Sequence, residues 1–268
     1  MPYAMSGGRE IFYEDTGGSG PAVIFSHGLL MDHAMFVPQV AALRDHYRCI
    51  AWDQRGHGRT ATDTLEPFTY YDSADDCVAV LRQAGVQRAV LAGMSQGGYL
   101  SLRCALRHPE IVRALILIDT QAGLEDPEKM PGYQQMVTDW ATNGLSDQTA
   151  GIIARIILGE DWGSAWGSAE DWKAKWRRMQ AANLVACFTT LGSRDDISEA
   201  IAQIDVPALV IHGEADASIE PYRAEAMRVK LSHAGPMVLV PGAGHAANLT
   251  HPEPVNAAII RFLEGLPA

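Results

Sequence analysis

Short apolar runs rich in β-branched residues alternate along this chain with longer stretches whose apolar positions recur at helical spacing. Residues 11–14 read as an early strand, and the Gly- and Pro-rich stretch 16–21 as a tight turn. Ala22-Val23-Ile24-Phe25 is apolar at every position, as a parallel strand covered on both faces must be. Runs of the same kind return at 49–52, 89–92, 114–118, 208–211 and 237–240. Helices are expected between them, at 36–43, 73–83, 98–107, 223–231 and 255–263. In the helix expected at 73–83, Ala74, Cys77, Val78 and Leu81 share a face, Asp75 and Asp76 fall in the first turn, and Gly85 closes it. Strands alternating with helices imply an α/β fold, a doubly wound and mostly parallel sheet with right-handed crossovers.

The rhythm breaks over residues 121–204. That stretch has helical segments and no convincing strand, and it holds Trp140, Trp162, Trp166, Trp172 and Trp176, five of the six tryptophans. An all-helical insertion between two strands of one sheet reads as a helical cap over the strand ends. The expected organisation is therefore a core domain of residues 1–120 and 205–268, with the cap at 121–204. The tryptophans have two readings, as packing residues of amphipathic helices or as walls of a substrate cavity.

Composition narrows the function classes. At 268 residues, with 47% hydrophobic and 20% charged positions, the chain has the make-up of a globular enzyme with a large core. A net charge of -11 argues against nucleic acid and against anionic membrane surfaces, both of which need clustered Lys and Arg. No uncharged run approaches the roughly 18 residues of a membrane helix, and residues 1–6 lack the features of a signal peptide. Cys49, Cys77, Cys104 and Cys187 are too dispersed for a disulfide framework or zinc site, and no two histidines are four residues apart. A cytoplasmic, metal-free and cofactor-free protein with buried free thiols is expected.

The strongest chemical signal is Gly93-Met94-Ser95-Gln96-Gly97, directly after one expected strand and before a helix. A G-x-S-x-G string in that context is a nucleophile elbow, whose strained turn lifts the serine hydroxyl clear of the sheet. A serine needs a base, and His245 stands in a glycine-rich loop after the last strand. The base needs an anion to hold its tautomer. Asp216 follows the 208–211 strand and comes between serine and histidine in chain order, with Glu214 and Asp119 as rivals. An oxyanion hole needs two backbone donors. Gln96 N–H, next to the serine, is one candidate, and Leu29 N–H in Ser26-His27-Gly28-Leu29-Leu30 is the other. His27 reads as a structural hydrogen-bonding residue of that loop.

Taken together, His27-Gly28, Asp53-Gln54-Arg55-Gly56-His57-Gly58, Gly93-Met94-Ser95-Gln96-Gly97-Gly98, Gly213 with Asp216, and Gly244-His245 resemble the α/β-hydrolase superfamily over the whole chain apart from the cap. The chain is similar to the branch of enol-lactonases, arylesterases, cofactor-free haloperoxidases and carbon–carbon bond hydrolases. The resemblance implies Ser95 as nucleophile, Asp216 as acid, His245 as base, and Leu29 and Gln96 as oxyanion donors. It implies a structural part for residues 53–58. A serine nucleophile departs from the dehalogenases and epoxide hydrolases of this fold, which use aspartate. Leu30 stands where haloperoxidase-like members carry proline, which counts against peroxyacid formation as the main activity. The expected function is hydrolysis of a small apolar or aromatic ester or lactone without a cofactor. Cleavage of a carbon–carbon bond in a diketone-like ring-cleavage product is the alternative within enzymes, and a non-catalytic ligand receptor is the alternative outside them.

Overall fold

The computed structural model describes residues 3–159 and 162–267. The expected core and cap boundaries also take in residues 1, 2, 160, 161 and 268, which lie outside the described residues. The strands are β1 (Tyr3–Ser6), β2 (Arg9–Asp15), β3 (Ala22–Ser26), β4 (Arg48–Trp52), β5 (Ala89–Met94), β6 (Val112–Ile118), β7 (Gly163–Ser164), β8 (Gly167–Ser168), β9 (Ala208–Gly213) and β10 (Val238–Val240). The helices are α1 (Val37–Leu43), α2 (Tyr70–Gln83), α3 (Gln96–Arg107), α4 (Met130–Asn143), α5 (Asp147–Leu158), α6 (Ala169–Trp176), α7 (Ala181–Ser193), α8 (Pro221–Lys230), α9 (Ala247–Thr250) and α10 (Pro252–Glu264).

Eight strands form one sheet in the order β1-β2-β4-β3-β5-β6-β9-β10, while β7 and β8 make a separate small hairpin. The pairs β1–β2 and β2–β4 are antiparallel, and the rest of the large sheet is parallel. Burial explains why the central strands are apolar throughout. In β3, Ile24 packs with the α2, α3 and α8 side of the sheet, while Val23 and Phe25 pack with the α1 and α10 side. Leu91 on one side, with Val90 and Ala92 on the other, repeat this in β5. Alternation still operates, but both faces are core, so every position must be apolar.

The structure adds to the expected elements and corrects some. β1 was not expected, because four residues with buried Ala4 and Ser6 alternating with Tyr3 and Met5 are too short a pattern to stand out. The stretch read as strand-free contains the β7–β8 hairpin. Helix α2 starts at Tyr70, because Thr69 caps it reciprocally with Asp72. Asp75 and Asp76 therefore lie beyond the first turn, and Asp76 instead pairs with Arg55 Nε at 2.5 Å. Helices α8 and α10 start earlier than expected, each with a proline in its opening turn, where the missing N–H costs nothing. All four cysteines are buried and free. Among the described residues no helix is long and apolar enough to cross a membrane.

Parallel register brings the functional loops together. Ser26 lies beside Gly93, Met94 beside Ile118, Ile118 beside Ile211, and Gly213 beside Val240. The loops after β3, β5, β6, β9 and β10 thus leave one edge of the sheet, the carboxyl edge where ligands of open α/β sheets bind. Between β6 and β9 the chain forms α4, α5, the hairpin, α6 and α7.

Candidate active site

Strand β5 ends at Met94 and α3 begins at Gln96, so Ser95 alone makes the turn. It does so at φ 52°, ψ -117°, a conformation costly for a residue with a side chain. The turn is held from both sides. Ser95 N–H donates to Ile118 O at 2.9 Å, and Ser95 O accepts from Thr120 Oγ1 at 2.8 Å. Gly97 lets α3 close onto β3, since a Cβ there would overlap the Ser26 carbonyl.

His245 Nε2 lies 3.1 Å from Ser95 Oγ, and its Nδ1 lies 2.8 Å from Asp216 Oδ2. The other carboxylate oxygen, Oδ1, accepts from Ser218 N at 2.8 Å and Ile219 N at 3.1 Å. Burial alone would raise the Asp216 pKa, but the neighbouring His245 and His212 hold it well below the usual carboxylate range. Burial likewise works against a charged His245, and the Asp216 carboxylate overcomes it, leaving the His245 pKa raised. The run Asp216–His245–Ser95 can therefore draw a proton from the serine hydroxyl and hold the resulting imidazolium.

The two rival acids sit elsewhere. Glu214 is exposed, its carboxylate 3.4 Å from Gly242 N. Asp119 is fully buried, with Oδ1 accepting from Gly213 N at 2.7 Å and Oδ2 from Ala247 N at 2.9 Å. It ties the loop of Asp216 to the loop of His245 rather than orienting the imidazole itself. Burial pushes its pKa up to about 7. His212, which the sequence reading passed over, points Nε2 at Ile219 O, 2.8 Å away, and at Asp216 Oδ2, 3.2 Å away. Its position at the end of β9, four residues before Asp216, was the available signal.

In the loop after β3, three backbone donors are taken. Gly28 N–H points to Met35 Sδ, Leu30 N–H to His57 Nε2, and Met31 N–H to Gly28 O. Leu29 N–H takes no such partner, and Gln96 N–H belongs to the opening turn of α3, whose donors lack intrahelical acceptors. Both candidate oxyanion donors are thus uncommitted among the described residues. His27 is structural, as expected, with Nδ1 donating to Gly28 O at 2.8 Å and Nε2 accepting from Gln54 N at 2.9 Å. His57 accepts from Leu30 N–H, and burial drives its pKa down to about 3, keeping it neutral for that purpose. Leu30 stands at φ 65°, and its carbonyl accepts from Trp176 Nε1 at 2.8 Å.

Ser95 and His245 open into a cavity of about 100 Å³. Met136 of α4, Ile153, Ile156 and Ile157 of α5, and Phe188 and Leu191 of α7 supply its apolar wall. The tryptophan reading needs correction here, because none of the five lines this cavity. Trp140, Trp172 and Trp176 are buried in packing, and Trp166 is exposed. The buried indoles of Trp140, Trp172 and Trp176 pack into the core cluster, and methionine, isoleucine, leucine and phenylalanine side chains face the serine. Glu125, Tyr99 and Tyr133 also line the cavity, and no sequence motif marked them.

Two groups bring potential metal ligands close, Asp32 with His33 and Asp53, and Asp119 with His212 and Asp216. Partners within the chain already use both. Lys175 pairs with Asp32 at 2.7 Å, and His33 Nδ1 lies 2.7 Å from Asp53. The oxygens of Asp119 and Asp216 carry the bonds described above.

Comparison with known proteins gives the lineage. Residues 23–258 match the pattern of the alpha/beta hydrolase family. The chain is 30% identical to a 2-(acetamidomethylene)succinate hydrolase of Mesorhizobium japonicum, covering 92% of this chain and 89% of that protein. It is 27% identical to a bifunctional esterase/perhydrolase of Acinetobacter calcoaceticus, covering 96% of each. Among solved structures, a thermophilic esterase from Thermogutta terrifontis superposes with a TM-score of 0.85 at 26% identity, covering 100% of this chain and 98% of the other. The sheet order, the turn at Ser95 and these matches lead to one conclusion: the chain is a hydrolase and belongs to the alpha/beta hydrolase family.

Proposed function

We propose that this hydrolase cleaves a compact carboxylic ester or lactone through an acyl-enzyme on Ser95. Ser95 Oγ attacks the carbonyl carbon while His245 Nε2 takes the hydroxyl proton, and Asp216 stabilises the imidazolium. The oxyanion of the tetrahedral intermediate is held by the N–H groups of Leu29 and Gln96. His245 then gives its proton to the departing alkoxide oxygen as the carbon–oxygen bond breaks. It next takes a proton from the water that attacks the acyl-enzyme, and the acid leaves as Ser95 regains its hydrogen.

The observation that carries this reading is the unbroken hydrogen-bond run from Ser95 Oγ through His245 to Asp216. The cavity of about 100 Å³ favours a small substrate, since pockets for drug-sized ligands measure roughly 300 Å³ or more. Apolar walls favour an uncharged acyl group. Leu30 at φ 65° supports hydrolysis over peroxyacid formation, because the ring of a proline at that position would require φ near about -65°.

The test combines labelling with turnover. A fluorophosphonate should label wild-type Ser95, and phenyl acetate and a small lactone should be turned over. Ser95→Ala should abolish labelling and lower kcat by about 10⁴-fold or more with the fold intact. Turnover of a dienoate diketone in place of either ester would assign the carbon–carbon reaction instead. Absence of labelling and of all turnover would favour a ligand receptor.

A further inference from the structure

The wall of the Ser95 cavity is largely apolar, yet it contains a carboxylate. Glu125 lines it with a side chain only 9% exposed. Arg194, 2% exposed, lies 2.9 Å from Glu125 Oε1, and Tyr99 Oη donates to the same oxygen at 3.1 Å. The arginine is fixed in turn. Its Nη1 donates to Leu191 O at 2.8 Å and its Nη2 to Gly123 O at 2.9 Å, with the guanidinium 4.3 Å from the centre of the Tyr99 ring.

This arrangement has a direction. Arg194 is not among the residues lining the cavity, whereas Glu125 is, and no arginine or lysine among the described residues lines it. The positive charge therefore balances the carboxylate from behind. Both described bonds end on Oε1, and no described bond ends on Oε2, so that oxygen is the acceptor left over on a side chain that lines the cavity. An acceptor in an apolar, desolvated wall discriminates strongly. A ligand donor satisfies it, a methyl group leaves it unpaired, and a second carboxylate sets like charges together. An ammonium is also disfavoured, because Glu125 is already neutralised and a net positive charge would be left out of water.

Resting on the reading that Ser95 is the attacking group, we propose that Glu125, positioned by Arg194 and Tyr99, is a specificity-determining subsite. It takes a neutral hydrogen-bond donor, a hydroxyl or an amide N–H, on the part of the substrate inside the cavity, and it excludes substrates with a free carboxylate there.

Alkylboronic acids of matched length, which add reversibly to a serine hydroxyl, test this whichever bond the enzyme cleaves. Three are titrated by calorimetry, with tails ending in a carboxamide, a methyl and a carboxylate. The carboxamide should bind about tenfold tighter than the methyl, the value of one hydrogen bond to a charged group, and the carboxylate weakest of all. In Glu125→Gln, with folding checked by circular dichroism, the carboxylate should gain at least about tenfold, because Arg194 then lacks its counter-charge. A wild-type order with the carboxylate equal to or tighter than the carboxamide overturns the proposal, and that order decides alone if E125Q does not fold. An order unchanged in a folded E125Q overturns it as well. Simple ester turnover without this order removes the subsite and leaves the ester reading. The expected order without any ester turnover does the reverse.

Discussion

At the residue scale, the proposed chemistry depends on how three side chains share protons. Asp216 is held anionic by His212 and His245 beside it, and its charge outweighs the burial that would discharge His245. The sign follows directly. A base with a raised pKa is protonated and idle at low pH, so kcat/KM should climb with pH and level off above that pKa. The midpoint should lie above the ordinary histidine value of about 6.5. A pH–rate profile on a small ester checks this, and a limb centred below about 6 would mean that Asp216 does not govern the base. Ser95, Asp216 and His245 were legible because each follows a strand, with Gly93 and Gly97 two residues either side of Ser95, alanines beside Asp216, and Gly244 and Ala246 beside His245. Glu125 and Arg194 were not, since a loop residue and one just past the end of α7 share no motif and meet only in space.

At the element scale, the loop after β3 depends on a helix far away in sequence. Leu30 holds φ 65° with its N–H on His57 and its carbonyl on Trp176 Nε1 at the end of α6. The adjoining Leu29 N–H is one of the two proposed oxyanion donors, so Trp176 should matter to the chemical step more than to binding. Trp176→Phe keeps most of the packing and removes one buried hydrogen bond. It should lower kcat about fivefold with little change in KM, in line with a net bond of about 1 kcal/mol. Steady-state kinetics on phenyl acetate give the answer, and a rise in KM at constant kcat would place Trp176 in substrate binding instead. The sequence marked the tryptophan cluster but not its use. Indoles at helical spacing look the same whether they face a ligand or a neighbouring helix, and the packing of α4 to α7 decided it.

At the scale of the whole molecule, the sheet gathers five loops at one edge, and Asp119 fastens two of them. Its oxygens hold Gly213 N and Ala247 N, so replacing it leaves a buried donor badly matched. Asp119→Asn should cost about 2 kcal/mol and lower Tm by about 4–8 °C, with turnover falling no more than about tenfold. Asp216→Asn should instead lower kcat by about 10⁴-fold, because the histidine loses its tautomer. Calorimetry and ester turnover on the two variants separate these effects. Loss of turnover in Asp119→Asn, with most of it kept in Asp216→Asn, would exchange the two assignments. The sequence by itself determined the doubly wound sheet, the insertion after β6 and the loop of each reactive group, because burial on both faces and turns beside strand ends are local demands written in residue type. The tertiary structure alone decided what the two rival carboxylates do instead, which side chains face Ser95 and what charge lines the cavity. Those outcomes depend on distances between residues far apart in the chain, and only the packed sheet and the helices above it set such distances.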